Sequence, residues 1–213
     1  MIKKLTLTAV AAAVLMLMLA VPALAMRAAA AEPYGWDLQL RNTRTAAAAK
    51  YGADMTYKAF ATWAAKKHRR VTIVDDNKTP EDASDDTTYR GVSLKTVVGY
   101  VDDNNKETFN AALAVKGYNV VILGMDGYAA TFASADIASL GDKIILADLA
   151  NGAPLVVPVA GLDKDGLPSW KPSWPLKVVS LDPSVTGKMK PGGIVRLSIV
   201  PAVAPAAMGA APF

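Results

Sequence analysis

The chain has 213 residues, no cysteine, one histidine (His68) and a formal charge of +4, from 23 Lys and Arg against 19 Asp and Glu. Without cysteine it has neither disulfide staples nor thiolate ligands, and with a single histidine it is poorly equipped for His-based zinc centres or Ser-His-Asp hydrolysis. So small a charge excess, with its one basic cluster at residues 66–70 followed after four residues by an acidic stretch, offers no basic face for nucleic acid.

From the N-terminus, Lys3 and Lys4 precede an uncharged apolar run from Leu5 to Val21, then Pro22 and Ala23-Leu24-Ala25. This is the layout of a cleavable secretory leader over residues 1–25, an uncleaved N-terminal anchor being the other reading, and its loss removes two of the four excess positive charges. No later segment is long and apolar enough to span a bilayer, so the reading is an exported, periplasmic or extracellular chain with no membrane attachment after cleavage. Residues 26–32 read as a flexible lead and 33–200 as one domain. Residues 201–213 (PAVAPAAMGAAPF), rich in Pro and Ala without a period, read as a disordered tail.

Within the domain, Trp36–Leu40 alternates apolar and polar side chains, which predicts a strand. Tyr57, Phe60 and Ala64 fall at helical spacing within 56–67, and Val71–Val74 returns to a strand. The acidic loop 75–86 carries six carboxylates, and a second acidic turn follows at 102–105. Calcium takes oxygen ligands of this kind, yet Pro80 and the absence of Asp-x-Asp-x-Asp-Gly spacing favour a solvated surface loop. Leu94, Val97, Val98 and Val101 define one face of a helix; a second helix is predicted over 107–116, with Phe109, Ala112 and Leu113 inward and Gly117 ending it. Strands at 119–123 and 128–132 flank a hairpin in which Asp126-Gly127 takes positive φ angles. Ser134 is placed to cap a helix over 135–140 that Gly141 closes. A buried strand at 144–147, an Asn151-Gly152 hairpin, and strands at 177–180 and 194–200 complete the series. The Gly-rich, basic segment 187–193 lacks phosphate-loop spacing and reads as a turn before the last strand.

The succession Gly-Val-x-Leu with a helix, then a strand, Asp-Gly-Tyr, Thr-Phe, a helix, Ile-Ile-Leu-Ala, Asn-Gly-x-Pro-Leu and Trp-Pro-Leu-Lys-Val-Val resembles the oxidoreductase molybdopterin-binding domain family, with its sulfite-oxidase-type fold, in its small exported single-domain members. The resemblance covers residues 36–197 loosely and 89–179 well. It implies an α+β domain of mixed β-sheets with short helices, and a pterin groove built from loops. Catalytic members hold molybdenum through a cysteine thiolate, which this chain lacks. Lys177 stands where the family often has arginine, and the loop before Trp174 offers only Lys164 and Lys171 as cations.

Tyr128, Trp174 and Lys177 are the candidate groove residues that follow from this resemblance; no catalytic or metal-ligating residue is assigned. Trp170 shares the Pro-rich loop with Trp174, where a ring either stacks on a ligand or pins the loop to the core. No cofactor is expected, with molybdopterin implied only by the resemblance. The favoured function is a molybdopterin-oxidoreductase-like domain without molybdenum redox catalysis, binding an unknown small ligand or partner protein. A functional molybdopterin oxidoreductase domain or subunit is the alternative, and an unrelated exported hydrolase or calcium-binding domain is the third reading.

Overall fold

The computed structural model describes residues 36–66, 69–76, 79–106, 108–155, 161–162, 168–169 and 175–202. The expected leader, the flexible lead and nearly all of the expected tail lie outside these residues, as do His68, Trp170 and Trp174. The described part is α+β, with two five-stranded sheets and one two-stranded ribbon.

In chain order the elements are β1 (Asp37–Asn42), a 3-10 turn (Ala46–Tyr51), β2 (Ala53–Thr56), α1 (Tyr57–Ala65), β3 (Arg70–Asp75) and β4 (Thr87–Ser93). Then follow α2 (Leu94–Gly99), α3 (Ala111–Val115), β5 (Tyr118–Gly124), β6 (Ala129–Ala133), α4 (Ser134–Leu140) and a 3-10 turn (Gly141–Lys143). The chain continues through β7 (Ile144–Ala150), β8 (Ala153–Pro154), β9 (Gly161–Leu162), β10 (Pro168–Ser169), β11 (Lys177–Ser180), a 3-10 turn (Gly187–Met189) and β12 (Ile194–Pro201).

The first sheet has the order β2-β1-β12-β5-β6. Its first and last strands in sequence, β1 and β12, pair in parallel, with Gln39 opposite Arg196 and Asn42 opposite Ile199; the other pairs are antiparallel. β5 alternates strictly, burying Tyr118, Val120 and Ile122. β12 cannot alternate throughout, because a register shift between Ile194 and Arg196 inserts Val195. That bulge brings Ile194, Leu197 and Ile199 to the same buried face. The strand also runs to Pro201, one residue into the segment expected to be tail.

The second sheet has the order β11-β7-β4-β3, with β8 hairpinned onto β7. β7 is apolar on both sides, which suits a strand covered on both faces. Ile144 and Leu146 enter the main core between the sheets and helices, whereas Ile145 and Ala147 join Ile73 and Val179 in a smaller cluster. At the Asn151-Gly152 hairpin both residues take positive φ, 49° and 79°, as the sequence predicts.

Several local expectations are corrected. In the β5–β6 hairpin only Gly127 has positive φ (81°), and Asp126 does not. Gly124 N donates to Tyr128 O at 2.8 Å and Gly127 N to Gly124 O at 3.1 Å, so the connection is a turn followed by one left-handed glycine. Ser134 does not cap α4, which has no side-chain cap. Its hydroxyl is buried, accepting from Tyr118 N at 3.1 Å and donating to Ala114 O at 2.8 Å, which ties the end of α3 to β5. α3 begins at Ala111 because Asn110 caps it, accepting from Leu113 N at 2.8 Å. The residues before it are drawn tightly over α2: a Cβ on Gly99 would lie 2.7 Å from Phe109 N. Ala112 faces solvent, and Ala114 is the buried alanine.

One ionic pair sits within this architecture. Arg90 pairs with Leu149 and Gly91 with Ala147, leaving Asp148 as the extra residue of a bulge in β7. A Cβ on Gly91 would lie 2.1 Å from Leu146 O, so only glycine permits so close an approach beside the bulge. Asp148 is fully buried and accepts a two-pronged contact from Arg70 at the start of β3, with Nη2 to Oδ2 at 2.7 Å. Removing Arg70 strands a buried carboxylate, so Arg70→Met is expected to lose about 3 kcal/mol in urea unfolding, and Arg70→Met/Asp148→Leu to recover most of it. Additive losses in the double variant would show that the pair does not act as a unit.

Candidate functional site

The groove residues expected from the sequence do not form a shared set of donors. Tyr128 is 44% exposed, and its hydroxyl donates to Lys188 O. Lys177 lies on β11 with its Nζ 5.0 Å from the Tyr89 ring centroid and 3.4 Å from the Tyr89 hydroxyl, to which it donates. The backbone of Gly192 bridges to Lys177 while Gly193 O accepts from Met125 N at 2.8 Å, so one short strip of chain connects the two regions. Their side chains nonetheless engage different partners. Trp174 lies outside the described residues.

These side chains do not fit a pterin–molybdenum group. Both polar ends are bonded within the fold, neither presents the forked donors that match phosphate, and the chain supplies no thiolate. Among the described residues, no three histidine or acidic side chains come together as a metal-binding group. In the acidic segments the carboxylates serve local turns. Asp82 accepts from Ser84 N at 2.9 Å, and Asp103 accepts from Asn105 N at 2.6 Å and from Asn110 Nδ2 at 2.6 Å.

A pronounced concavity lies elsewhere. A groove of about 790 Å³ is lined by Thr72, Ile73 and Val74 from β3, Leu140, Asp142 and Lys143 from the end of α4 and the turn after it, and Leu181, Asp182 and Pro183 after β11. Val74 and Leu181 are large apolar side chains left 45% and 53% exposed there. A second recess of about 300 Å³ shares Leu140, Lys143 and Asp182 and adds Asp136, Ser139 and Ser184.

The polar edge common to both recesses is fixed by short-range bonds. Asp182 accepts from Ser184 Oγ at 2.7 Å and Ser184 N at 3.1 Å, and pairs with Lys143 Nζ at 3.5 Å. The Ser184 bonds, with a smaller contribution from Lys143, hold the Asp182 carboxyl below its ordinary range. Ser180 Oγ donates to Lys143 O at 2.7 Å and accepts from Asp182 N at 3.2 Å, which fixes the backbone on both sides of the ion pair. With Asp142 also present, the edge carries two carboxylates against one ammonium. It is a preset polar rim beside an apolar surface.

Two buried carboxylates were missed by the sequence reading, and neither forms an acid–base centre in the groove. Asp148 is committed to Arg70. Nearby Tyr57, whose ring meets Trp36 edge-on at 6.4 Å, has its hydroxyl pKa raised first by burial and then by the Asp148 charge. Asp102 is fully buried in the loop after α2, and burial pushes its pKa up to about 6 although Asn110 N donates to Oδ2 at 2.7 Å. No protein-family model matches the chain, and no curated protein matches it.

Asp102 gives the structure a defined pH response. Its folded pKa is raised from 3.8, so its stabilising contribution is complete below pH 3.8 and is lost as pH rises through about 6. Asp102→Asn removes this dependence. Between pH 4 and 7 the unfolding free energy of the wild type is expected to fall relative to that of the variant by about 2 kcal/mol. Parallel profiles in denaturant titrations would contradict the assignment.

Proposed function

We propose that this chain is an exported, non-catalytic binding domain, and that its groove takes a small amphipathic molecule with an apolar body and a cationic end. The observation that carries the reading is the groove itself. Its volume of about 790 Å³ falls in the range of small-molecule sites, its surface is largely apolar, and its few polar groups are fixed in advance. Exposed Val74 and Leu181 supply apolar contact, while Asp142 and Asp182 outnumber Lys143 and favour a positive charge at the rim. Export rests on the leader-like N-terminus, and absence of molybdenum redox chemistry on the lack of a thiolate ligand. A sulfite-oxidase-type scaffold belongs to the same proposal, supported by the succession of motifs between residues 89 and 179 and by the mixed α+β arrangement.

The test is a calorimetric titration with alkyl amines, matched alcohols and matched carboxylates of medium chain length. Amines are expected to bind at least about tenfold more tightly than the carboxylates, a difference of about 1.4 kcal/mol. Leu181→Arg, a change at an exposed position, is expected to weaken amine binding by a similar factor without altering the circular dichroism spectrum. Equal binding of carboxylates, or an unaffected Leu181→Arg variant, would overturn the ligand class. Protein purified from an exporting host is expected to carry no stoichiometric molybdenum, and about one equivalent per chain would reinstate the oxidoreductase reading.

A further inference from the structure

Away from the groove, polar atoms are buried together at the end of the first sheet. β1 ends at Asn42 opposite Ile199 of β12, and Val200 and Pro201 of β12 pair with Asn119 and Tyr118 of β5, so the chain leaving β1 and the start of β5 meet at one end of the sheet. Arg44 follows β1, with its N donating to Asn42 Oδ1 at 3.3 Å. Asn42 Nδ2 in turn donates to Val101 O at 2.9 Å and Asp102 O at 3.2 Å, which holds the loop after α2 against the same end.

Three side chains bring unpaired atoms to this region. Arg44 Nη1, Asp102 Oδ1 and the Tyr118 hydroxyl are buried with no protein hydrogen-bond partner. Asp102 and Tyr118 are 0% and 1% exposed. They act on one another electrostatically: the Tyr118 hydroxyl is affected by Asp102 and Arg44, and Asp102 by Arg44 and its neighbour Asp103. The other oxygen of Asp102 is already occupied by Asn110 N, and Asp103 is held by Asn105 and Asn110. A buried polar atom left unpaired is costly, so three on segments that meet at one end of the sheet, and that act on one another electrostatically, call for a common partner.

We propose that Arg44, Asp102 and Tyr118 enclose an internal hydration site holding one ordered water. The water accepts from Arg44 Nη1 and the Tyr118 hydroxyl and donates to Asp102 Oδ1. Its lone pairs take two donors and one of its protons meets the remaining acceptor, which is the roughly three-bond coordination usual for buried water. The site joins the chain after β1, the loop after α2 and the start of β5, three segments that share no continuous backbone pairing at this point. Protonation of Asp102 on Oδ1 weakens that oxygen as an acceptor and turns a further donor toward the water, so occupancy and the charge state of this carboxyl are linked.

A crystal structure of the wild type at pH 8 and high resolution is expected to show one water within hydrogen-bonding distance of all three atoms. Direct bonding of Asp102 Oδ1 to Tyr118 or Arg44, with no water between them, would overturn the proposal. Tyr118→Phe removes one donor, and loss of the water then raises the Asp102 midpoint in a carboxyl-carbon NMR titration. An unchanged midpoint with the water retained would reduce Tyr118 to a bystander and overturn the three-sided site. If Tyr118→Phe fails to fold, magnetic relaxation dispersion on the wild type at pH 8 decides: a long-lived internal water supports the site and its absence overturns it.

Discussion

The close approach of β4 to β7 at Gly91 governs the second sheet. Without a side chain at that position the backbone of Leu146 and Ala147 comes close against β4, and β7 accommodates its extra residue at Asp148 there. The displaced residue happens to be a carboxylate, so the bulge brings a charge into the interior and requires a partner. Arg70, at the first position of β3, supplies it. A packing constraint at one glycine therefore leads to an electrostatic one at two residues far apart in sequence, and both tie the edge strand β3 to the middle of its sheet.

The same sheet makes the groove. Because Ile145, Ala147 and Val179 form a minor apolar cluster on the face away from the main core, β3 contributes Ile73 to that cluster and leaves Val74 at the surface. The chain leaving β11 turns sharply through Asp182 and Ser184, whose mutual bonds set the rim against Lys143. Apolar surface and polar rim thus come from separate requirements of the fold, one from covering β7 and the other from ending β11.

Much of the fold was legible because local chemistry and final structure agree. Alternation located β1, a nearly continuous apolar run located β5, helical spacing found the buried face of α2, and Asn151-Gly152 announced its hairpin. The errors arose where a long-range partner took over a side chain. Ser134 has the residue type and position of a cap, but Ala114 and Tyr118 claim its hydroxyl across the core. Ala112 was expected to face inward, but on the short helix capped by Asn110 it is Ala114 that is buried and Ala112 that is exposed. The candidate site was less legible still. Tyr128 and Lys177 were named through a motif resemblance, and each is satisfied within the fold by a residue the motif does not contain, Lys188 and Tyr89. The groove gathers residues from β3, the end of α4 and the chain beyond β11, and no sequence spacing encodes that meeting. Asp102 and Asp148 carry no local sign of burial, since acidic residues are ordinarily solvated.

The parallel pairing of β1 with β12 has a consequence for how the chain reaches this state. These strands are separated by nearly the whole described sequence, and β12 is also the strand that joins β1 to β5. During synthesis β1 therefore has only β2 beside it until β12 has left the ribosome. Closure over so large a sequence separation is slow, and the first sheet remains in two halves in the meantime. A chain organised this way stays unlatched while it is being made, and its last strand acts as the key.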